Sequence, residues 1–434
     1  MFLNTLNLID LINYNSDIFG VIDIHVTLSG RISLLNVCKD LKSRYLVKHS
    51  RFFEWISKSR YEIIKDVIRY NNISFYEYVI GIVECEPIQR YMDWAARRGS
   101  LDLLRYLMNK YKGVFKLNND VFLNATKGGH LELLKWLQEK DCPLRDSVCY
   151  LQQSVCYAAA ANGHLDVLKW IKSRGRRWSS ADVCNAAALY GHLEILKWER
   201  TDDISLLSST QITQYFEKKI YRDEEICTKA AMNGHLNVLK YAYKDGCPWN
   251  EETFAEAAGG GRLKILRWLR KKECPWNEKA CANAAKKGHL EILQWLRENG
   301  CPWDEETCSG AALYGHLKLL QWARENGCPW SEKTCCEAAA CGNIEILQWL
   351  RAQDLPCPWD ERACSWAASD GGLETLKWLR QNECLSCQSS PDRQALLACP
   401  WNIETCQCAV DAGNEDVLEW LSANDCPCNK SLHL

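Results

Sequence analysis

One short string returns along this chain and fixes what the chain can fold into. GHLEILQWLRENGCPWDEETC, from Gly288, is followed by GHLKLLQWARENGCPWSEKTC, from Gly315. The anchor, or an equivalent, recurs at Gly99, Gly129, Gly163, Gly191, Gly234, Gly261, Gly288, Gly315, Gly342, Gly371 and Gly413. From Gly234 to Gly342 every step is 27 residues. The steps from Gly191 to Gly234 and from Gly371 to Gly413 are the longest, at 43 and 42 residues, and hold insertions near 200–222 and 384–398. A unit this small cannot hide its own apolar side, so neighbouring units must stack and share a core. With 434 residues, too many for one ordinary core, the chain reads as an array of about eleven units.

One unit, from Asp304 to Gly327, shows the logic. Asp304 follows Pro302 and Trp303 and precedes Glu305 and Glu306, which is an N-cap with acids in the first turn. A first helix then carries the small residues Cys308, Ala311 and Ala312, which let another helix come close. Gly315 ends it by supplying a left-handed residue. A second helix follows with Leu317, Leu319, Leu320, Trp322 and Ala323, an arc of about 220° at the helical period. An arc that wide predicts burial on more than one side. Asn326-Gly327 closes the helix and Cys-Pro-Trp leads into the next unit. Nine of the 19 tryptophans share one position of the second helix, among them Trp268, Trp295, Trp322 and Trp349. Seven more, such as Trp276 and Trp303, occupy the turn. Both sets are expected to be repeated core and staple residues, not a platform for bases.

The strings AANGHLDVLKW, AALYGHLEILKW and AAKKGHLEILQWLRENG resemble the ankyrin repeat, over roughly residues 89–428. The resemblance implies an all-α, ankyrin-like helical-hairpin solenoid that binds partners on a concave face lined by first helices. Two departures stand out. The period is 27 where ankyrin units run about 33 residues, with Cys-Pro-Trp replacing the β-hairpin finger, and the Thr-Pro-Leu-His helix start is absent. Residues 1–88 form a separate N-terminal region, expected to be helical and to cap the first repeat. Within it LSGRISLLNVCKDLKSRYL, with Leu35, Val37, Cys38, Lys39 and Leu41, resembles the second half of an F-box, although the opening Leu-Pro is missing. Arrays with such a leader and this repeat style resemble those of large DNA viruses and some protists. That implies host-cell cytoplasm if the source is viral.

Composition narrows the function. Lys and Arg number 53 against 55 for Asp and Glu, so no nucleic-acid partner is expected, and the cluster Lys172, Arg174, Arg176, Arg177 reads as a solvated loop end. The opening residues show no secretory signal and no run is long enough to span a membrane, which predicts a cytoplasmic or nuclear protein with no membrane partner. The 25 cysteines are then expected to be reduced, small buried hydrophobes. Six histidines, His130, His164, His192, His235, His289 and His316, belong to separate anchors and cannot converge on a substrate; their role is expected to be local. No nucleotide or hydrolase motif appears, so the chain is read as non-enzymatic, with no catalytic residue and no cofactor. Cysteine pairs seven apart, such as Cys301 and Cys308, recur too regularly for metal ligands. A zinc clip built from Cys384, Cys387, Cys406, Cys408, Cys426 and Cys428 is the remaining metal reading.

Comparing units within the chain locates a recognition surface. The frame barely changes, but the residues before each anchor glycine do: Leu189-Tyr190, Gly259-Gly260, Lys286-Lys287, Leu313-Tyr314, Ser369-Asp370. So does a position near the Ala-Ala pair, where Lys229, Glu256, Asn283, Gly310, Glu337 and Trp366 stand. Varied side chains on a fixed support are what recognition needs. Tyr190, Lys229, Lys286, Lys287, Tyr314, Trp366 and Asp370 are the expected contacts for a protein partner of a monomeric scaffold, with ubiquitin-ligase components expected if the F-box resemblance holds.

Overall fold

The computed structural model describes residues 88–427 apart from 141–148, 176–177, 205–223 and 382–398, with isolated helical positions between 64 and 80. The F-box-like stretch and Arg176, Arg177, Cys384, Cys387 and Cys428 lie outside the described residues. Among the described residues there is no strand, and no helix is long and apolar enough to cross a membrane.

The chain is an all-α helical-hairpin repeat protein. Its contacts divide it into Met1–Val183 and Cys184–Leu434. The first unit holds the pairs α1 (Arg90–Arg98) and α2 (Leu101–Lys110), α3 (Asn119–Gly128) and α4 (Leu131–Glu139), α5 (Cys149–Ala161) and α6 (Leu165–Ser173). The boundary falls within α7 (Ser180–Tyr190), which pairs with α8 (Leu193–Ile204). The second unit continues with α9 (Glu224–Asn233) and α10 (Leu236–Lys244), α11 (Glu251–Gly259) and α12 (Leu263–Lys271), α13 (Lys279–Lys286) and α14 (Leu290–Glu298). Then come α15 (Glu305–Leu313) and α16 (Leu317–Glu325), α17 (Glu332–Ala340) and α18 (Ile344–Arg351), α19 (Glu361–Trp366) and α20 (Gly372–Gln381), and α21 (Ile403–Ala412) and α22 (Glu415–Ala423). That makes eleven pairs among the described residues.

In the second unit the first helices pack side by side in succession, and each second helix lies on its own partner. The alanine pairs explain the close approach: Ala257-Ala258, Ala284-Ala285, Ala311-Ala312 and Ala338-Ala339 are completely buried. The caps follow the sequence. Asp304 accepts a bond from the Glu306 N–H at 3.1 Å, and Asn250 and Asn402 form capping boxes with Thr253 and Thr405. The second helix differs from expectation in one respect. Leu319, Leu320 and Ala323 are buried, a stripe of about 100°. Leu317 and Trp322, on its flanks, are half-buried, so the wide arc is a core stripe with two shoulders.

The histidines are not local. His289 Nε2 lies 3.1 Å from the Gly259 carbonyl and His316 Nε2 3.3 Å from that of Lys286, each in the preceding unit. His235 reaches Leu189 O at 3.0 Å, and in the first unit His130 and His164 reach Arg97 O and Lys127 O. A carbonyl only accepts, so Nε2–H donates, satisfying a carbonyl that a helix end leaves open. The glycine before it is required twice over. Gly288 has φ 71°, and a Cβ there would come within 2.7 Å of the His316 ring. Where histidine is replaced the bond persists: Arg262 Nε donates to Met232 O at 3.0 Å, and Asn414 Nδ2 to Ala368 O at 2.8 Å.

One unit breaks register. The left-handed residue is Gly372, φ 78°, and not Gly371, and Leu373 follows it with no residue between. The unit lacks the histidine position and has one residue more ahead of the glycine. A π-helical turn, Ala367–Gly371, absorbs the extra residue.

The turns explain the tryptophans. The guanidinium groups of Arg270, Arg297, Arg324, Arg351 and Arg380 lie 3.9–4.2 Å over the rings of Trp276, Trp303, Trp330, Trp359 and Trp401. Trp303, Trp330, Trp359 and Trp401 in turn meet Trp322, Trp349, Trp378 and Trp420 edge-on at 5.9–6.4 Å. Arg324 and Arg351 also donate to Cys328 O and Cys357 O at 3.2 and 2.7 Å. Arginine, turn tryptophan and helix tryptophan thus staple each turn to the hairpins it joins.

Backbone conformation sets the first prediction. Just before the turn cysteine stand Gly246, Gly300 and Gly327, all with positive φ, but also Glu273 at φ 58°. Glu273→Gly is expected to raise stability by about 1 kcal/mol. Gly288→Ala, which adds a clash with His316, is expected to lower it by about 2–4 kcal/mol. Urea unfolding of the two variants against the parent measures both.

Candidate functional site

Each first helix presents one outward row near its start, a second one turn on, and a third at its end. The first row is cross-linked by charge. Lys279 Nζ lies 3.8 Å from Glu252, and Lys333 pairs with Glu306, whose carboxylate holds the Lys333 ammonium above its usual range. In the second row Lys229 pairs with Glu225 on its own helix, and Asn283 donates to Glu256 at 3.2 Å. Burial, then Glu252, pushes the Glu256 carboxyl up, with Lys287 opposing; burial likewise raises Glu337, opposed by Lys333 and Lys286. Gly310 has a positional reason. A Cβ there would sit 2.7 Å from Lys286 Cγ, so the missing side chain is the bed in which the lysine stem lies.

The end row is the open one. Tyr190 and Tyr314 are 51% and 53% exposed, unusual for tyrosine on a packed helix, and Lys287, Cys341 and Asp370 are exposed too. Lys287 Nζ lies 5.7 Å over the Tyr314 ring. Gly260 leaves a gap in this row because a Cβ would fall 2.0 Å from Met232 O. Of the seven residues expected from sequence, the structure brings Lys286, Lys287 and Tyr314 together. Lys229 is occupied by Glu225. Trp366, half-buried, and Asp370 flank the π turn. Tyr190 stands several units away along the chain, on α7.

The cysteines form their own ladder. Turn thiols donate to the backbone carbonyl that opens the preceding first helix: Cys301 to Asn277 at 3.5 Å, Cys328 to Asp304 at 3.4 Å, Cys357 to Ser331 at 3.4 Å, Cys399 to Asp360 at 3.3 Å. First-helix thiols in turn contact turn cysteines, Cys281 with Cys301 and Cys308 with Cys328, and these contacts together with burial raise the thiols far above their ordinary range. The pairing is therefore across a unit, 20 residues apart, and not the seven-residue spacing visible in sequence. Phe254 fills the first-helix place before Cys274, so the position is one of packing. Among the described residues no group of three or more Cys, His, Asp or Glu is placed to share a metal ion.

Sequence reading missed a basic stripe on the second helices. α10 and α12 contain no acidic residue, yet Lys240, Lys244, Lys264, Arg267, Lys271 and the following Lys272 are all exposed. The available signal was the residue after the anchor leucine. It is Glu132, Glu194, Glu291, Glu345 and Glu374 in five units, but Asn237 and Lys264 in these two.

No protein-family model matches the chain, and no curated protein matches it. Among solved structures it is similar to the pentatricopeptide repeat protein PPR10 from maize, at 13% identity over 98% of this chain and 68% of that one, with a TM-score of 0.31. It is also similar to PPR10 in complex with an 18-nt psaJ RNA element, at 12% identity over 99% and 75%, with a TM-score of 0.28. The exclusion of a nucleic-acid partner does not stand, since a repeat protein to which this chain is similar is solved with RNA. The reasoning behind the exclusion was also physically incomplete. Net charge sums over the whole chain, whereas a strand meets one surface, and the acid-free α10 and α12 are hidden in that sum.

Asp93 on α1 carries a pH consequence. Burial, reinforced by Asp120 on α3, raises its carboxyl to about 6 from an ordinary 3.8. The folded form therefore binds the proton more tightly than the unfolded chain, so stability falls as pH rises from about 4 through about 6. Asp93→Asn is expected to remove that slope and to raise Tm at pH 8 more than at pH 4; thermal melts at the two pH values check it.

Proposed function

We propose that this chain is a non-catalytic scaffold of the ankyrin type that binds a protein partner along the open end row of its first helices. The observation that carries this reading is the contrast between rows. The inner rows are occupied by internal ion pairs, while the end row holds exposed tyrosines and Lys287 over Tyr314. Exposed aromatics on a rigid frame are the material of binding hot spots. Backbone strain or a converging acid–base pair, which catalysis would need, is not part of this row. The free, buried thiols support a reducing compartment, cytosolic or nuclear.

The test is a pair of variants in full-length protein isolated from its native cell. Tyr314→Ala with Lys287→Glu should abolish recovery of the partner that co-purifies with the parent. Unfolding stability should change by less than about 0.5 kcal/mol, since both residues are at the surface. Retention of the same partner by the double variant would refute the assignment of this row.

A further inference from the structure

We infer that α10 and α12 form a second binding surface, on the second-helix side, that takes single-stranded nucleic acid. It is separate from the end row of the first helices and does not depend on that assignment. The argument begins with the cations. In other units the lysine of the second helix has a carboxylate one turn before it: Lys135 on Glu132 at 2.7 Å, Lys197 on Glu194 at 2.8 Å, Lys377 on Glu374 at 2.9 Å. In α10 and α12 that carboxylate is replaced by Asn237 and Lys264. Among the described residues none of Lys240, Lys244, Lys264, Arg267, Lys271 and Lys272 forms an ion pair. The nearest acid along α10, Asp245, is already held by Arg200. Glu291 and Glu298 on α14 bound the stripe on the far side.

An aromatic platform stands within it. Tyr243, 38% exposed, is stacked on Trp249 with ring centres 4.3 Å apart, and meets Trp268 of α12 edge-on at 5.7 Å. Lys272 Nζ lies 5.5 Å over the same Tyr243 ring. A supported ring beside unpaired cations is the combination that holds a single strand, with phosphates on the cations and a base on the ring. The alternatives fit less well. An anionic membrane takes helices that turn an apolar face outward, but Val238, Leu239, Ala242, Ile265, Leu266 and Leu269 are all buried. An acidic protein would need an apolar contact core, and lysine is depleted from such cores. A duplex keeps its bases stacked and gives Tyr243 nothing to receive.

The experiment uses the full chain and fluorescein-labelled oligouridylate, followed by anisotropy over a range of salt. Three to six phosphate contacts predict a slope of log K against log salt of about −2 to −4. Lys264→Glu, Arg267→Glu and Lys271→Glu together should weaken binding at least about tenfold, and Tyr243→Ala about fivefold or more. Lys318→Glu, a charge reversal on α16 beyond the acid-bearing α14, should leave binding unchanged. Circular-dichroism melts confirm that each variant is folded. The inference is overturned if the parent shows no salt-sensitive binding, or if the triple variant, folded, binds as the parent does. It is equally overturned if phosphatidylserine vesicles or polyglutamate are bound in preference to oligouridylate.

Discussion

Each repeat is fastened to the one before it by a side chain that crosses the gap and donates to an open helix-end carbonyl. Histidine does this at several anchors, arginine and asparagine at others. The rest of the structure follows from that bond. The ring needs space, so the residue it passes over must be glycine, and the same glycine supplies the left-handed turn. The turn brings the second helix back onto the first, and the alanine pairs allow the next first helix to close against it. Leaving a buried carbonyl without its donor costs about as much as a sizeable core truncation, which explains why the bond survives when its donor changes identity.

The turn residues solve a second problem created by a short period. Without a β-hairpin finger, few residues remain to connect hairpins and hold them apart at a fixed distance. Arg324 covers Trp330 and donates to the Cys328 carbonyl, while the Cys328 thiol donates to Asp304. A three-residue turn thus contacts the helix before it, the helix after it and the preceding turn. Thiol donors are weak, but here they serve carbonyls that water does not reach, and sulfur fills the volume that a hydroxyl would leave.

The sequence showed the period, the N-caps at Asp304 and Asn250, the glycine turns and the small first-helix residues, because each is a local pattern repeated in register. The reach of the histidines was not legible. A contact between residues about 30 apart looks local when every unit carries the same string. The shoulder position of Trp322 was likewise lost in an arc that counts residue types and not depth. In the candidate site, the exposure of Tyr190 and Tyr314 followed from their variable positions, but the pairing of Lys229 and the bed at Gly310 depend on neighbouring helices. The acid-free faces of α10 and α12 escaped notice because two helices scarcely alter a sum over the whole chain.

The π turn at Ala367–Gly371 has an implication beyond its own unit. A residue lost after the glycine and one gained before it cancel within a single helix, and the units beyond continue undisturbed. Copying errors of one residue are therefore repaired in place, without compensating changes elsewhere in the gene. A lineage built this way can lengthen, shorten or exchange its modules freely, so the number of units in such a chain is a record of its history more than a requirement of its architecture.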